Sequence, residues 1–197
     1  VVVLVGGRVF AVPWIAEHAG ALLEAWCPGE QGGHGVADVL FGAVSPAGRL
    51  PISMPHSVGQ VPVYYNHRSG SGRSQMYGDY VDGPVQPLFP FGHGLSYTSF
   101  AYGELSLSSD TPDPTETVGI ALDVANTGER DGEEVVQLYL RDEFASSSRP
   151  AKQLAGFVRL ALRAGETRRV TFHLDLSQLG FYDPRMRFVV EPGSVEV

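Results

Sequence analysis

The hydrophobic period of this chain changes once, near residue 100, and that change limits the fold more than any single motif does. Before it, a continuous apolar run at 1–5 is followed by Gly6-Gly7, then by "PWIAEHAGALLEAW", "CPGEQGG" and "HGVADVLFG". An unbroken Val/Leu run has the character of a strand buried on both faces, as in a parallel sheet. After residue 100 the apolar residues alternate with polar ones, which is the pattern of strands with one face on a core and one in water. One half should therefore be α/β with parallel strands and the other an all-β sandwich.

In the first half, Pro13 suits the opening turn of a helix, with Trp14, Ile15, His18, Ala19, Leu22 and Leu23 on one side. Residues 25–27 read as a second buried strand, and the Pro-Gly loop after it feeds a helix carrying Val36, Val39, Leu40 and Phe41, closed by Gly42. Glu30 is expected in the first turn of that helix, where a carboxylate favours the positive end of the dipole. Residues 43–90 are rich in Pro, Gly, Ser and Tyr without a sustained period, which predicts a long ordered loop region lying on other protein.

The second half offers strands at 118–125 and 134–141, around the turn signals Asn126-Thr127-Gly128 and Asp131-Gly132. Ala164-Gly165 then leads into the alternating Val170, Phe172, Leu174 and Leu176. Short strands at this spacing predict an immunoglobulin-like sandwich of about a hundred residues without its cysteine pair.

Charge and cysteine content exclude several classes. The net charge is −8, with 22 acidic against 14 basic residues and no Lys/Arg cluster, so no nucleic-acid partner is expected. The single Cys27, beside Trp26 at the end of an apolar run, excludes an internal disulfide and reads as a buried, inert thiol. Scattered histidines lack paired zinc-site spacing, so neither metal nor cofactor is expected. No apolar run reaches membrane-spanning length and the start lacks the charges of a signal peptide. No membrane partner is expected, and cytoplasmic, periplasmic and secreted locations all stay open. The opening "VVVLVGG" and the closing "RFVVEPGSVEV" read as strands cut into mid-protein, which makes the chain a fragment by expectation.

Five stretches occur in one order: "PGEQGGHGVADVLFG", "SPAGRLPISMPHSVGQVPVYYNHR", "PLFPFGHGLSYTSF", "NTGERDGEEVVQLYLRD" and "RPAKQLAGFVRLALRAGET". Together they resemble the C-terminal portion of a glycoside hydrolase family 3 enzyme, the family of β-glucosidases and β-xylosidases. The resemblance implies that residues 1–97 are the last part of an α/β sandwich domain with its long loop region. Residues 98–197 would be a fibronectin type III-like domain whose final strand is truncated. It also implies a retaining hydrolase of terminal non-reducing β-D-glucosyl or β-D-xylosyl residues, with a β-linked oligosaccharide or glycoside as substrate. The family's nucleophile lies in an N-terminal barrel and its acid/base upstream of residues 1–5, so neither matches a position here. No catalytic residue is assigned, and the chain alone should be inactive. A non-catalytic carbohydrate-binding or interaction module is the other reading.

Two places remain as candidate sites. The segment "VYYNHRSGSGRSQMYGDYVDG", 63–83, has the composition of a loop that stacks on sugar rings and hydrogen-bonds hydroxyls, and equally of an exposed crossing loop. Its candidate substrate-contacting residues are Tyr64, His67, Arg68 and Arg73. His93, between two glycines in "PLFPFGHGLSYTSF", has no Ser, Cys or carboxylate at motif spacing. That run reads as a joint between the two halves, with Phe91 and Tyr97 as its buried aromatics.

Overall fold

The computed structural model describes residues 1–68 and 83–197. The chain divides into two compact units, one of Val1–Tyr65 and Gly70–Leu95, the other of Asn66–Ser69 and Ser96–Val197. The division at 95/96 falls inside the run that the sequence reads as a joint.

In the first unit, β1 (Val2–Leu4) pairs in parallel with β2 (Leu22–Glu24), with Val2 opposite Leu22 and Leu4 opposite Glu24. Between them lies α1 (Pro13–His18), with Pro13 in its first turn, where the missing N–H costs nothing. The expected boundary is wrong here. The backbone is already extended at Ala19, and Leu22 and Leu23 belong to a strand, not to the helix. A Leu-Leu pair suits both a helix face and a buried strand, and the ladder to β1 decides between them. The hydrogen bonding does reach the expected 25–27 region, since Ala25 N–H donates to Leu4 O and Gly6 N–H to Trp26 O, both at 2.9 Å. Trp26 then turns out of the sheet at φ 52°.

The second helix, α2 (Gly32–Leu40), begins after Gln31, so Glu30 lies before the helix and not in its first turn. Cys27 is exposed, which corrects the expectation of a buried thiol: the chain has already left the sheet at Trp26. From the end of α2 to residue 95, the described residues form no element longer than the single turn at Val58–Gln60. This stretch is organised by isolated backbone pairing of 50–54 with 88–93: Met54 N–H donates to Phe89 O (2.8 Å), Leu88 N–H to Met54 O (2.8 Å) and Leu50 N–H to His93 O (2.8 Å). Met54 is buried at the centre of this pairing. Gln60 ties the loop across, accepting from His56 N–H and donating to the carbonyls of Pro84 and Gln86.

The second unit is a two-sheet sandwich. The strands are β3 (Phe100–Tyr102), β4 (Ser106–Leu107), β5 (Thr117–Asn126), β6 (Gly132–Asp142), β7 (Gln153–Leu162), β8 (Thr167–Asp175), β9 (Phe181–Tyr182), β10 (Phe188–Val189) and β11 (Val195–Glu196). β5 pairs with β3, β4 and β8 in one sheet, and β6 with β7 and β11 in the other, all antiparallel. β9 and β10 form a separate small hairpin. The expected strands are present and longer than predicted, but β5 and β6 do not pair with each other. The turn at 126–132 carries the chain from one sheet to the other, and the turn after β7 carries it back.

Alternation builds the core. Val118, Ile120, Leu138, Leu140, Leu174 and Leu176 form one buried cluster, and Val124, Val136, Leu160, Leu162 and Val170 a second. Buried Asn126 holds both crossings together. Its Nδ2 donates to Arg130 O (2.7 Å) and Leu162 O (3.2 Å), while its Oδ1 accepts from Thr98 Oγ1 (2.6 Å) and Gly128 N–H (3.1 Å). Every hydrogen-bonding atom of this amide group is used, which is what makes its burial tolerable.

Candidate functional site

Residues 63–68 alternate between inward and outward positions. Val63 is buried, Tyr64 is 61% exposed, and the Tyr65 ring stacks on Phe91 with centroids 4.2 Å apart. Tyr64 and Tyr65 belong to the first unit, whereas 66–68 belong to the second. There Arg68 forms an antiparallel bridge with Pro150, and Ala151 N–H donates to His67 O at 2.8 Å. His67 is half-buried and Arg68 exposed. Arg73 lies outside the described residues. The structure therefore distributes the sequence-predicted residues: Tyr64 on one unit, His67 and Arg68 on a strip of the other.

An exposed phenol ring can stack on a pyranose face, and an imidazole and a guanidinium can donate to hydroxyls. The six residues from Val63 to Arg68 contain no carboxyl group, so they cannot supply the carboxylates of glycoside hydrolysis. Among the described residues, no group of three or more His, Cys, Asp or Glu is placed to hold a metal ion. No helix among them is long and apolar enough to cross a membrane.

Sequence reasoning missed Glu24. It ends β2 at the carboxyl edge of the parallel pair, where α/β sheets commonly present functional groups. Its Oε1 accepts from Trp26 N–H at 3.0 Å, while its Oε2 is buried with no hydrogen-bond partner among the described residues. Burial pushes the carboxyl above its ordinary range, against the smaller pull of the Trp26 N–H. The only available signal was its place after Leu22-Leu23, and that signal requires the strand to be recognised there.

His93 is held by its backbone and its ring. Its N–H donates to Pro90 O, its carbonyl accepts from Leu50 N–H, and its ring stacks on Phe89 at 5.3 Å. Burial, and secondarily the charge of Arg49, hold the imidazole below its usual value, so the neutral ring is favoured. The flanking glycines have separate reasons. Gly92 sits at φ 81°, where an L side chain is strained, and a Cβ on Gly94 would meet the Gly48 carbonyl oxygen. Tyr97 is 46% exposed, so it is not the fully buried aromatic the joint reading expects, whereas Phe91 is half-buried against Tyr65.

Comparison with known proteins places these features in a family. Residues 1–97 match the glycosyl hydrolase family 3 C-terminal domain, and residues 134–197 the fibronectin type III-like domain. A periplasmic beta-glucosidase of Salmonella typhimurium is 44% identical over the whole chain, and a beta-xylosidase of Formosa agariphila 43%. The chain spans 26% and 27% of their lengths, about a quarter in each case. A beta-glucosidase from Listeria innocua, solved in complex with isofagomine, shares the fold with a TM-score of 0.92 and 40% identity, over 98% of this chain and 28% of that one. The α/β unit, the two-sheet sandwich and both matches agree: this chain belongs to glycosyl hydrolase family 3 and consists of its C-terminal domain region followed by a fibronectin type III-like domain.

Proposed function

We propose that this chain is the C-terminal portion of a retaining β-glycosidase that removes terminal non-reducing β-D-glucosyl or β-D-xylosyl residues from β-linked oligosaccharides or glycosides. Residues 1–97 complete an α/β sandwich domain, residues 98–197 are the fibronectin type III-like domain, and a catalytic barrel is contributed by further polypeptide. The observation that carries the reading is similarity along the whole chain to proteins named beta-glucosidase and beta-xylosidase. The retaining reaction needs two carboxyl groups about 5 to 5.5 Å apart, one as nucleophile and one as acid/base. We assign neither to this chain, whose proposed contribution is contact with the glycoside through Tyr64, His67, Arg68 and Arg73.

The test has two arms. The 197-residue chain alone should show no turnover of an aryl β-glucoside or β-xyloside, and the complete coding region should encode a protein that does. Turnover by the chain alone, abolished by Glu30→Gln or Glu24→Gln, would place the chemistry here and overturn the proposal. Three exposed aromatics on the fibronectin-like unit, Phe157, Tyr182 and Phe188, favour a second reading as a carbohydrate-binding module. Retention of the isolated chain on insoluble β-glucan, without any activity from the complete protein, would support that one.

A further inference from the structure

We infer that Arg149, in the loop between β6 and β7, is a positioning residue that holds the strip bearing His67 and Arg68; this rests on the proposed role of that strip in glycoside binding. The strip has no strand of its own. Its backbone is held by the Arg68–Pro150 bridge and by the Ala151 N–H donated to His67 O at 2.8 Å, so its place depends on where 150–151 are held.

Arg149 holds them through three different contacts. Its Nε lies 3.4 Å from Asp142 Oδ2 at the end of β6. Its Nη2 donates to Leu179 O at 2.9 Å, and its guanidinium lies over the Phe181 ring, 4.9 Å from the centroid. Both charged side chains are 16% exposed, so solvent screens the pair weakly. Nε is buried without a hydrogen bond among the described residues, which makes the Asp142 contact one of charge, leaving Nη2 to make the directional bond. On the far side of Ala151, Lys152 sits over the Tyr139 ring at 5.0 Å, but as an exposed cation it holds the loop more weakly. A planar fork can lie flat on Phe181, face Asp142 and donate to Leu179 at once; the point charge of lysine cannot.

The position of His67 and Arg68 is thus decided in the second unit, by a residue whose guanidinium is occupied by Asp142, Leu179 and Phe181. The test uses Arg149→Lys, which keeps the charge, and Ala151→Pro, which removes the N–H donor to His67 while fixing φ at 151. Hydrogen exchange on the 197-residue Arg149→Lys chain should accelerate at Ala151 by about 5- to 10-fold, the size of one hydrogen bond's net contribution. The amides of β5 and β8 should keep their parent rates. In the complete hydrolase, both variants should raise KM for an aryl β-glycoside several-fold with kcat unchanged, the mark of lost uniform binding.

Unchanged exchange at Ala151, or equal acceleration throughout β5 and β8, would overturn the inference, the latter by making Arg149 a general structural residue. His67→Ala and Arg68→Ala serve as references. If they raise KM while Arg149→Lys and Ala151→Pro do not, the inference fails and the substrate reading stands. If they leave KM unchanged, the substrate reading fails and the positioning role with it.

Discussion

The two units handle their ionisable groups in opposite ways. In the first, Glu24 and His93 are both shifted chiefly by burial, which disfavours the charged form: the carboxyl is pushed up and the imidazole down. In the second, Asp113, Glu166, Asp175, Asp183 and Glu191 are all held below the ordinary carboxylate range, chiefly by hydrogen bonds to the charged form. The two buried apolar clusters lie in the second unit, around Ile120 and Val124, although both units expose large apolar side chains, Phe41 at 89% and Phe144 at 77%. A sandwich closed on two apolar clusters can place its carboxylates at turns, where free N–H groups receive them. A short parallel pair with Glu24 at its edge has no such turn for the second oxygen.

The largest expected effect tests the core side of this contrast. Ile120→Ala should destabilise the sandwich by about 2–5 kcal/mol, the range for deleting a buried aliphatic side chain. Thermal unfolding followed by circular dichroism would read it, and exchange at β1 and β2 should not change. If it does, the two units share one cooperative transition.

Phe91→Ala should act on the first unit, by about 2–3 kcal/mol, less than for a fully buried ring because Phe91 is half-buried. Tyr97→Ala should cost less than Phe91→Ala, since Tyr97 is nearly half exposed. An equal loss from both would restore the reading of the whole run as one buried aromatic joint.

Asn126→Ala should cost about 1–3 kcal/mol by leaving the buried Leu162 carbonyl and the part-buried Arg130 carbonyl without this donor. Urea unfolding would measure it, and Asn126→Asp should not rescue, because a carboxylate cannot donate to Leu162 O or Arg130 O.

The smallest effects concern pH. The Asp183 carboxylate accepts from the Arg187 N–H first, then from the Arg187 guanidinium and the Arg185 N–H. Its folded value lies below its unfolded one, so it stabilises the fold above the ordinary carboxylate range and loses that contribution as pH falls through the folded value. Asp183→Asn should flatten the acid limb of the stability curve. Glu24 has the opposite sign. Its folded value lies above its unfolded one, so stability drops as pH rises from the ordinary carboxylate range to the folded value. Glu24→Gln should raise melting temperature at neutral pH and leave it unchanged in acid. A lower neutral melting temperature would mean that the buried oxygen has a partner worth keeping.

Much of this molecule was legible in its residues. Alternation located the long strands to within a few positions, the apolar run located β1, and the ordered motifs identified the family. The misreadings share a cause. Leu22-Leu23 satisfies the period of a helix face and of a buried strand, and only the ladder to β1 makes it a strand, which in turn brings Glu24 into view and puts Cys27 outside the sheet. Candidate side chains in 63–68 were visible by type, but their division between two units was not, because composition carries no address.

Where strands form and which side of each is apolar could be read from the residues, because side-chain alternation is a local property of a pleated backbone. Tertiary structure alone decided which strand lies beside which. The residues at 126–132 are good turn formers whether the next strand pairs back or crosses to the opposite sheet, and the choice is made by burying Ile120 against Leu138 and Leu140 in one closed core. Arg149 shows the same limit: nothing in "SSSRPAKQ" announces Asp142, Leu179 and Phe181 as its partners, since a guanidinium's role depends on charges and carbonyls that approach only when the chain has folded.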